Sequence, residues 1–207
     1  MARSRRAAEP EIFPRDWWVA ALSAIGVIVA GYLAVNKWSG GTALFCTAGS
    51  GCDIVQASRY AVFLGLPTAA WGAGLYAAAG ALALLGLPPR RWLAAFLLAV
   101  AGASFSLYLT YLSIFDIGAT CAYCLASAGV ALGLVGLLLW RRPAAKGQRS
   151  PVRPQRVVAL GALTAVATVV FGAGVFATLE PKEAATYQEA LARHLKASGA
   201  VFYGAYW

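Results

Sequence analysis

The 207 residues predict an all-α, polytopic membrane protein. Of these, 60% are hydrophobic and only 12% charged, and the mean hydropathy is +0.68, more apolar surface than a soluble domain of this size can hide. Five apolar runs are long enough to cross a bilayer, since roughly 20 residues at about 1.5 Å each span a core of about 30 Å. The basic residues collect in alternate loops, as an inserted chain requires.

The first span is predicted over Trp17–Val35, with Pro14 near its start and Asp16 in its first turn. It leads into a loop without a small-residue cleavage site, so no cleavable signal peptide is expected. Asn36 to Gly41 is a polar, Gly-rich exit. The longest outer loop, 38–65, follows, and within it Asp53–Phe63 has the mixed pattern of a short interfacial helix. Gly65 and Pro67 end that segment and start the second span, Leu66–Leu87. A tight Pro-Pro-Arg-Arg turn makes the third span, Trp92–Phe115, its antiparallel neighbour. The second outer loop, Asp116–Thr120, is short, and the fourth span is expected over Ile117–Trp140. The linker 141–156 is polar, carries three prolines and needs no fold of its own. The fifth span is Val157–Leu179. Small residues at Ala70/Gly74 and Gly129/Gly133 suit close helix contact. In the tail, Glu183–Lys196 has apolar residues at helical spacing, and Ala200 to Trp207 reads as a strand.

The net charge of +9 is an orientation signal. Twelve of the 17 basic residues precede the first span or lie between spans two and three or four and five, all on one side of a five-span topology. That side is the cytoplasm, so the C-terminus lies outside. No nucleic-acid partner is expected. The single histidine, His194, falls in the tail and suggests no metal or tetrapyrrole site.

Four cysteines carry the chemistry, and this topology puts all of them on the extracytoplasmic face, where disulfides persist. Cys46 and Cys52 are separated by small and flexible residues. Cys121 and Cys124 form Cys-Ala-Tyr-Cys at the outer end of span four. Thr120 is the expected N-cap, placing Cys121 at the first helical residue and Cys124 one turn on. A helix N-terminus carries about half a positive charge, which favours a thiolate. The adjoining bilayer is where a lipid-soluble electron acceptor arrives.

Two structural disulfides also account for four cysteines, and a four-cysteine zinc site fits two pairs on paper. The outer face disfavours reduced thiolates, and a loop pair beside a helix-start pair is better explained as a relay. In that relay the loop pair meets soluble thiols and the helix pair meets the acceptor, through mixed disulfides. A non-enzymatic scaffold or transporter is the rival class, and charged residues, which a transporter favours, are essentially lacking from the spans. An unrelated disulfide-generating oxidase with both pairs in loops is another.

The run Cys52-Asp-Ile-Val-Gln-Ala-Ser58-Arg59-Tyr60, a preceding loop cysteine, Gly65-Leu-Pro67 and a distant CxxC opening span four together resemble the vitamin K epoxide reductase family, its bacterial branch above all. The resemblance covers nearly the whole chain. It implies a four-helix bundle around a quinone, over 17–140, with a fifth helix at 157–179 after the linker. It implies a cytoplasmic segment 1–16 and an extracytoplasmic tail 180–207 that begins a truncated thioredoxin-like domain. Cys121 and Cys124 would be the active-site pair, with Cys124 beside the quinone. Cys46 and Cys52 would be the shuttle pair, Cys52 bridging transiently to Cys121, and Ser58 would lie near the quinone. The acceptor would be of the ubiquinone, menaquinone, plastoquinone or phylloquinone type, with no metal. The donor would be a thioredoxin-like protein or domain, and the location a bacterial inner or thylakoid membrane. Animal members carry an Asn on the second span and a Tyr one turn after the CxxC that contact the vitamin. Ala128 stands at the latter position and no Asn matches the former, so quinone reduction is implied rather than epoxide reduction.

Overall fold

The computed structural model describes residues 14–41, 46, 49–143, 154–178, 190–191 and 193–198. The expected strand from Ala200 to Trp207 therefore lies outside the described residues, as do most of the tail beyond 178 and most of the 141–156 linker.

Among the described residues the main helices run, in chain order, α1 (Trp17–Ser39), α2 (Gly51–Ala57), α3 (Thr68–Leu84), α4 (Pro89–Leu112), α5 (Ala122–Trp140) and α6 (Pro154–Thr178), and 190–191 and 193–197 are helical as well. A two-stranded hairpin, β1 (Val62–Phe63) and β2 (Leu66–Pro67), precedes α3, and a π-helical turn, Ser113–Ile117, extends α4. Among the described residues, four helices (α1, α4 with its π turn, α5 and α6) are long and apolar enough to cross a membrane. The expected second span is shorter than Leu66–Leu87, because Leu66 and Pro67 are drawn into the hairpin and Gly86 turns left-handed at φ 82°. Its 17 residues in α3 cover roughly 25 Å, at the low end of what crosses a bilayer.

Around the bundle, α1 packs on α3 and α5, and α4 packs on α3 and α5, closing a ring of four; α6 lies against α4 from outside. Lipid is as apolar as a leucine, so close packing and hydrogen bonds hold such helices together. Trp92, fully buried, donates its indole N–H to the Leu138 carbonyl at 2.9 Å and stacks on Phe96. Asp16 sits one residue outside α1, as its N-cap, and not in the first turn. Its carboxylate accepts from Val19 N–H at 3.3 Å and pairs with Arg141 at 3.4 Å. The beginning of α1 is thereby tied to the end of α5. Of the predicted small residues, Gly74 and Gly129 face open space but Gly133 lies against Leu22 of α1, where a Cβ would come within 3.3 Å; the tightest approach is at Gly26, which lies under the Tyr76 ring, where a Cβ would come within 2.6 Å.

The opposite end carries the cysteines. The expected Asp53–Phe63 helix resolves into three pieces. α2 is capped by Ser50, whose hydroxyl accepts from Asp53 N–H while Asp53 accepts from Gly49 N–H. The arrangement is related to a capping box, except that the Asp53 side chain reaches the residue before the cap and not the cap's own N–H. A 3₁₀ turn, Arg59–Ala61, follows, and then the hairpin. Leu64 and Gly65, both at positive φ, form the two-residue connection, as a primed turn requires. The hairpin sets Phe63 against Trp71, Phe105 and Phe176, so an aromatic cluster roofs the space between α3, α4 and α6.

Candidate active site

The cysteine end has one bonded pair and one free pair. Cys46 and Cys52 form a disulfide, with Cα atoms 5.5 Å apart. Cys121 and Cys124 are reduced. The two pairs meet: Cys52 Sγ lies 3.7 Å from Cys121 Sγ. All but Cys124 are buried, in a cluster that includes Leu33 and is packed by Tyr32, Val55, Ala69 and Tyr123.

Three local features bring the sulfurs together. The first is Gly51, the opening residue of α2, whose Cα side faces the Thr120 backbone. A Cβ there would meet Thr120 O at 2.6 Å and Thr120 N at 3.1 Å. Only a residue without a side chain lets Cys52 come this close to the Cys121 strand of chain. The second is Lys37, near the end of α1, which donates to Gln56 O at 2.6 Å and holds the C-terminal end of α2. The third is the break between α4 and α5. The expected fourth span began at Ile117, but Ile117 ends the π turn and Gly118 turns left-handed at φ 71°, so α5 starts at Ala122.

That delayed start changes the capping. Cys121, not Thr120, is the N-cap: its backbone is extended and its sulfur accepts from the Cys124 N–H at 3.3 Å. A hydrogen bond from the Cys124 thiol, helped by the backbone N–H groups of Cys124 and Tyr123 and opposed by burial, lowers the Cys121 thiol to about 7. The helix-start argument for a thiolate survives the shift of one residue, because the cap position faces the same free N–H groups.

Cys124 opens onto a cavity. It has about 140 Å³ of room and runs between α1, α3, α4 and α5. An apolar protein cavity of about 150 Å³ accepts a benzene-sized ring. Trp71, Leu75, Leu98, Phe105, Leu109 and Leu134 give it apolar walls, and Tyr60, Tyr76, Ser113 and Ser127 bring hydroxyls to it. The Tyr76 hydroxyl donates to Ser127 O at 2.7 Å, and Trp71 donates to Phe63 O at 3.0 Å. Tyr60 donates to Asp116 at 2.7 Å and accepts from Arg59 at 2.6 Å. Burial, reinforced by the Asp116 bond, raises the Tyr60 phenol above its ordinary value against the lowering effect of Arg59.

Of the residues singled out from the sequence, the four cysteines are brought together. Ser58 is close by but is not among the residues lining the cavity. Its hydroxyl donates to Val55 O at 2.7 Å, at the end of α2, and its neighbours Val55, Gln56 and Tyr60 line the space instead. Sequence reasoning missed Tyr60, Asp116 and Ser113. The only sequence signal for the first two was an aromatic and an acid in the outer loops. Their pairing spans 56 residues, and nothing local announces it.

A bundle with helices long and apolar enough to cross a membrane, and two cysteine pairs in sulfur contact over an apolar cavity, is the arrangement of a membrane redox protein that works through its cysteines. Residues 17–139 match the model of the vitamin K epoxide reductase family, and the chain belongs to that family.

Proposed function

We propose that the chain transfers electrons from a thioredoxin-like partner through Cys46/Cys52 and Cys121/Cys124 to a quinone, and so supports disulfide formation in exported proteins. The observation that carries this is the unbroken sulfur path: a loop disulfide, a 3.7 Å gap from Cys52 to Cys121, and Cys124 in the wall of the cavity.

A partner thiolate attacks Cys46 and displaces Cys52 as the thiolate; the partner's second thiol closes its own disulfide and frees Cys46. Cys52 attacks Cys121 of an oxidised Cys121–Cys124 pair and displaces Cys124. Cys46 then attacks Cys52, restoring the loop disulfide and leaving Cys121 and Cys124 reduced, which is the state described above. Each exchange breaks one S–S bond and forms one, so two electrons have moved from the surface to the cavity wall. Closing Cys121–Cys124 again passes them on.

The cavity residues fit a quinone. The walls are apolar and aromatic, the space is ring-sized, and a buried Ser113 hydroxyl has no partner among the described residues. A bound quinone supplies a two-electron, two-proton acceptor. Trp71, Phe105 and Leu134 would flank it and keep water out, and Cys124 would be the sulfur beside it. Ser58, by closing α2 onto Val55, would keep Gln56 and Tyr60 at the cavity. The positive-inside distribution supports an outer-face position for the cysteines, and the membrane would be a bacterial inner or thylakoid membrane.

The test is quinone reduction by the detergent-solubilised protein with a small dithiol donor, wild type against Cys124→Ala. Turnover in the wild type that vanishes in the variant is expected. No turnover with ubiquinone or menaquinone, in protein with all four cysteines intact, overturns the reading.

A further inference from the structure

The cavity has a polar end that the sulfur relay does not use. Ser113 lies on the π turn after α4. It is 5% exposed, and its hydroxyl has no hydrogen-bond partner among the described residues, although it lines the cavity. A hydroxyl left buried and unpaired is unfavourable, and an acceptor entering the cavity relieves it.

Tyr60 lines the same space from the 3₁₀ turn. Its oxygen accepts from Arg59 at 2.6 Å and its proton points to Asp116 Oδ2 at 2.7 Å. Arg59 and Asp116 also pair directly at 3.4 Å, with side chains 49% and 50% exposed. Among the described residues these two are the charged groups facing Tyr60. Phe176 of α6 stacks edge-on against its ring, and Thr68 of α3 donates to its carbonyl. A chain of exchangeable protons thus runs from water, through Asp116, to a phenol in the wall of an otherwise apolar cavity. The Tyr76 hydroxyl, by contrast, is committed to Ser127.

We infer that Ser113 and Tyr60 bind a carbonyl oxygen of the cavity's occupant, and that Tyr60 and Asp116 deliver to that oxygen a proton drawn from the outer aqueous phase. This rests on the quinone reading given above. Closing Cys121–Cys124 releases two electrons and the two thiol protons. A quinone taking two electrons needs two protons. The Cys124 thiol supplies one of them and the Cys121 proton leaves to water; Tyr60, its hydroxyl turning from Asp116, gives the other to the carbonyl oxygen, and the Asp116 carboxylate passes it a replacement proton taken from water. Arg59, donating to the Tyr60 oxygen, steadies the phenolate while it is without its proton.

Binding and chemistry separate the two roles. A short-tailed ubiquinone labelled at its carbonyl carbons is added to wild type, Ser113→Ala, Tyr60→Phe and Asp116→Asn. Its affinity is read from quenching of tryptophan fluorescence, and the carbonyl stretch from infrared difference spectra. Ser113→Ala and Tyr60→Phe should each weaken binding about tenfold, the loss of one well-placed hydrogen bond, and shift the carbonyl stretch to higher wavenumber. Asp116→Asn should leave binding and the stretch unchanged but slow dithiol-driven reduction by at least about tenfold. It should also leave the rate at which dithiol reduces Cys46–Cys52 intact. Tyr60→Phe keeps the ring against Phe176, so loss of fold does not mimic the result. Wild-type affinity and stretch in Ser113→Ala and Tyr60→Phe overturn the binding assignment. Wild-type turnover in Asp116→Asn overturns the relay. If the wild type neither binds nor reduces the quinone, the functional reading itself falls, which is a different outcome.

Discussion

Replacing Gly51 by alanine tests whether electron transfer depends on the closeness of two backbones. The new methyl would lie 2.6 Å from Thr120 O, where ordinary contact begins at 3.4 Å, so the chains must part by about 0.8 Å. Gly51 lies in α2 outside the positive-φ positions, and alanine suits a helix better than glycine, so the helix itself is not harmed. The neighbouring Cys52 Sγ now sits 3.7 Å from Cys121 Sγ, near the 3–3.5 Å or so from which reacting atoms engage. Adding most of an ångström takes it well beyond, and a displacement of about 1 Å costs on the order of 100-fold. The assay is direct. In a Cys46→Ser, Cys124→Ser background, Cys52 and Cys121 are the only thiols, and their disulfide is trapped by mild oxidation and resolved by gel mobility. Gly51→Ala should slow trapping by one to two orders of magnitude, as the displacement rule gives. In the otherwise wild-type chain, external dithiol should still reduce Cys46–Cys52 at the normal rate. Trapping as fast as with glycine would refute the idea that this contact sets the sulfur distance.

Three further outcomes follow from the same geometry. Because the native state holds Cys121 at about 7, below the ordinary thiol value of 9.0, its thiolate fraction should rise as pH increases through 7, not through 9. Ultraviolet thiolate absorbance of the form with Cys46–Cys52 closed checks this, and Cys124→Ala should move the midpoint upward by removing the main donor; an unmoved midpoint contradicts the assigned cause. Trp92→Phe strips the Leu138 carbonyl of its indole partner inside the bundle and should cost about 1–3 kcal/mol. Thermal unfolding in detergent reads it, and an unchanged Tm would mean the bond contributes nothing. Leu64→Gly relieves a left-handed leucine at φ 51°, a gain of about 1 kcal/mol offset by about 0.5–1 kcal/mol of glycine entropy. Its Tm should be unchanged or slightly higher, and a clear drop would show that the half-exposed side chain matters more than the backbone.

The sequence by itself determined that this is a helical membrane protein, where its helices run to within a few residues, and where its four sulfurs fall along the chain. Those properties are local. Apolar length is counted along the chain, and the spacing of Cys121 and Cys124 puts both on one helical turn wherever α5 begins. The boundaries that moved did so for reasons distant in sequence or held in single backbone angles. The hairpin took Leu66 and Pro67 from α3, and a left-handed Gly118 delayed α5 until Cys121 itself became the cap. Tertiary structure alone decided the site around the sulfurs. Tyr60 meets Asp116 across 56 residues, Cys52 meets Cys121 across 69, and Gly51 matters only because the Thr120 backbone lies against it. Such contacts are fixed by how helices and loops pack, and packing is a property of pairs of surfaces that no local pattern encodes.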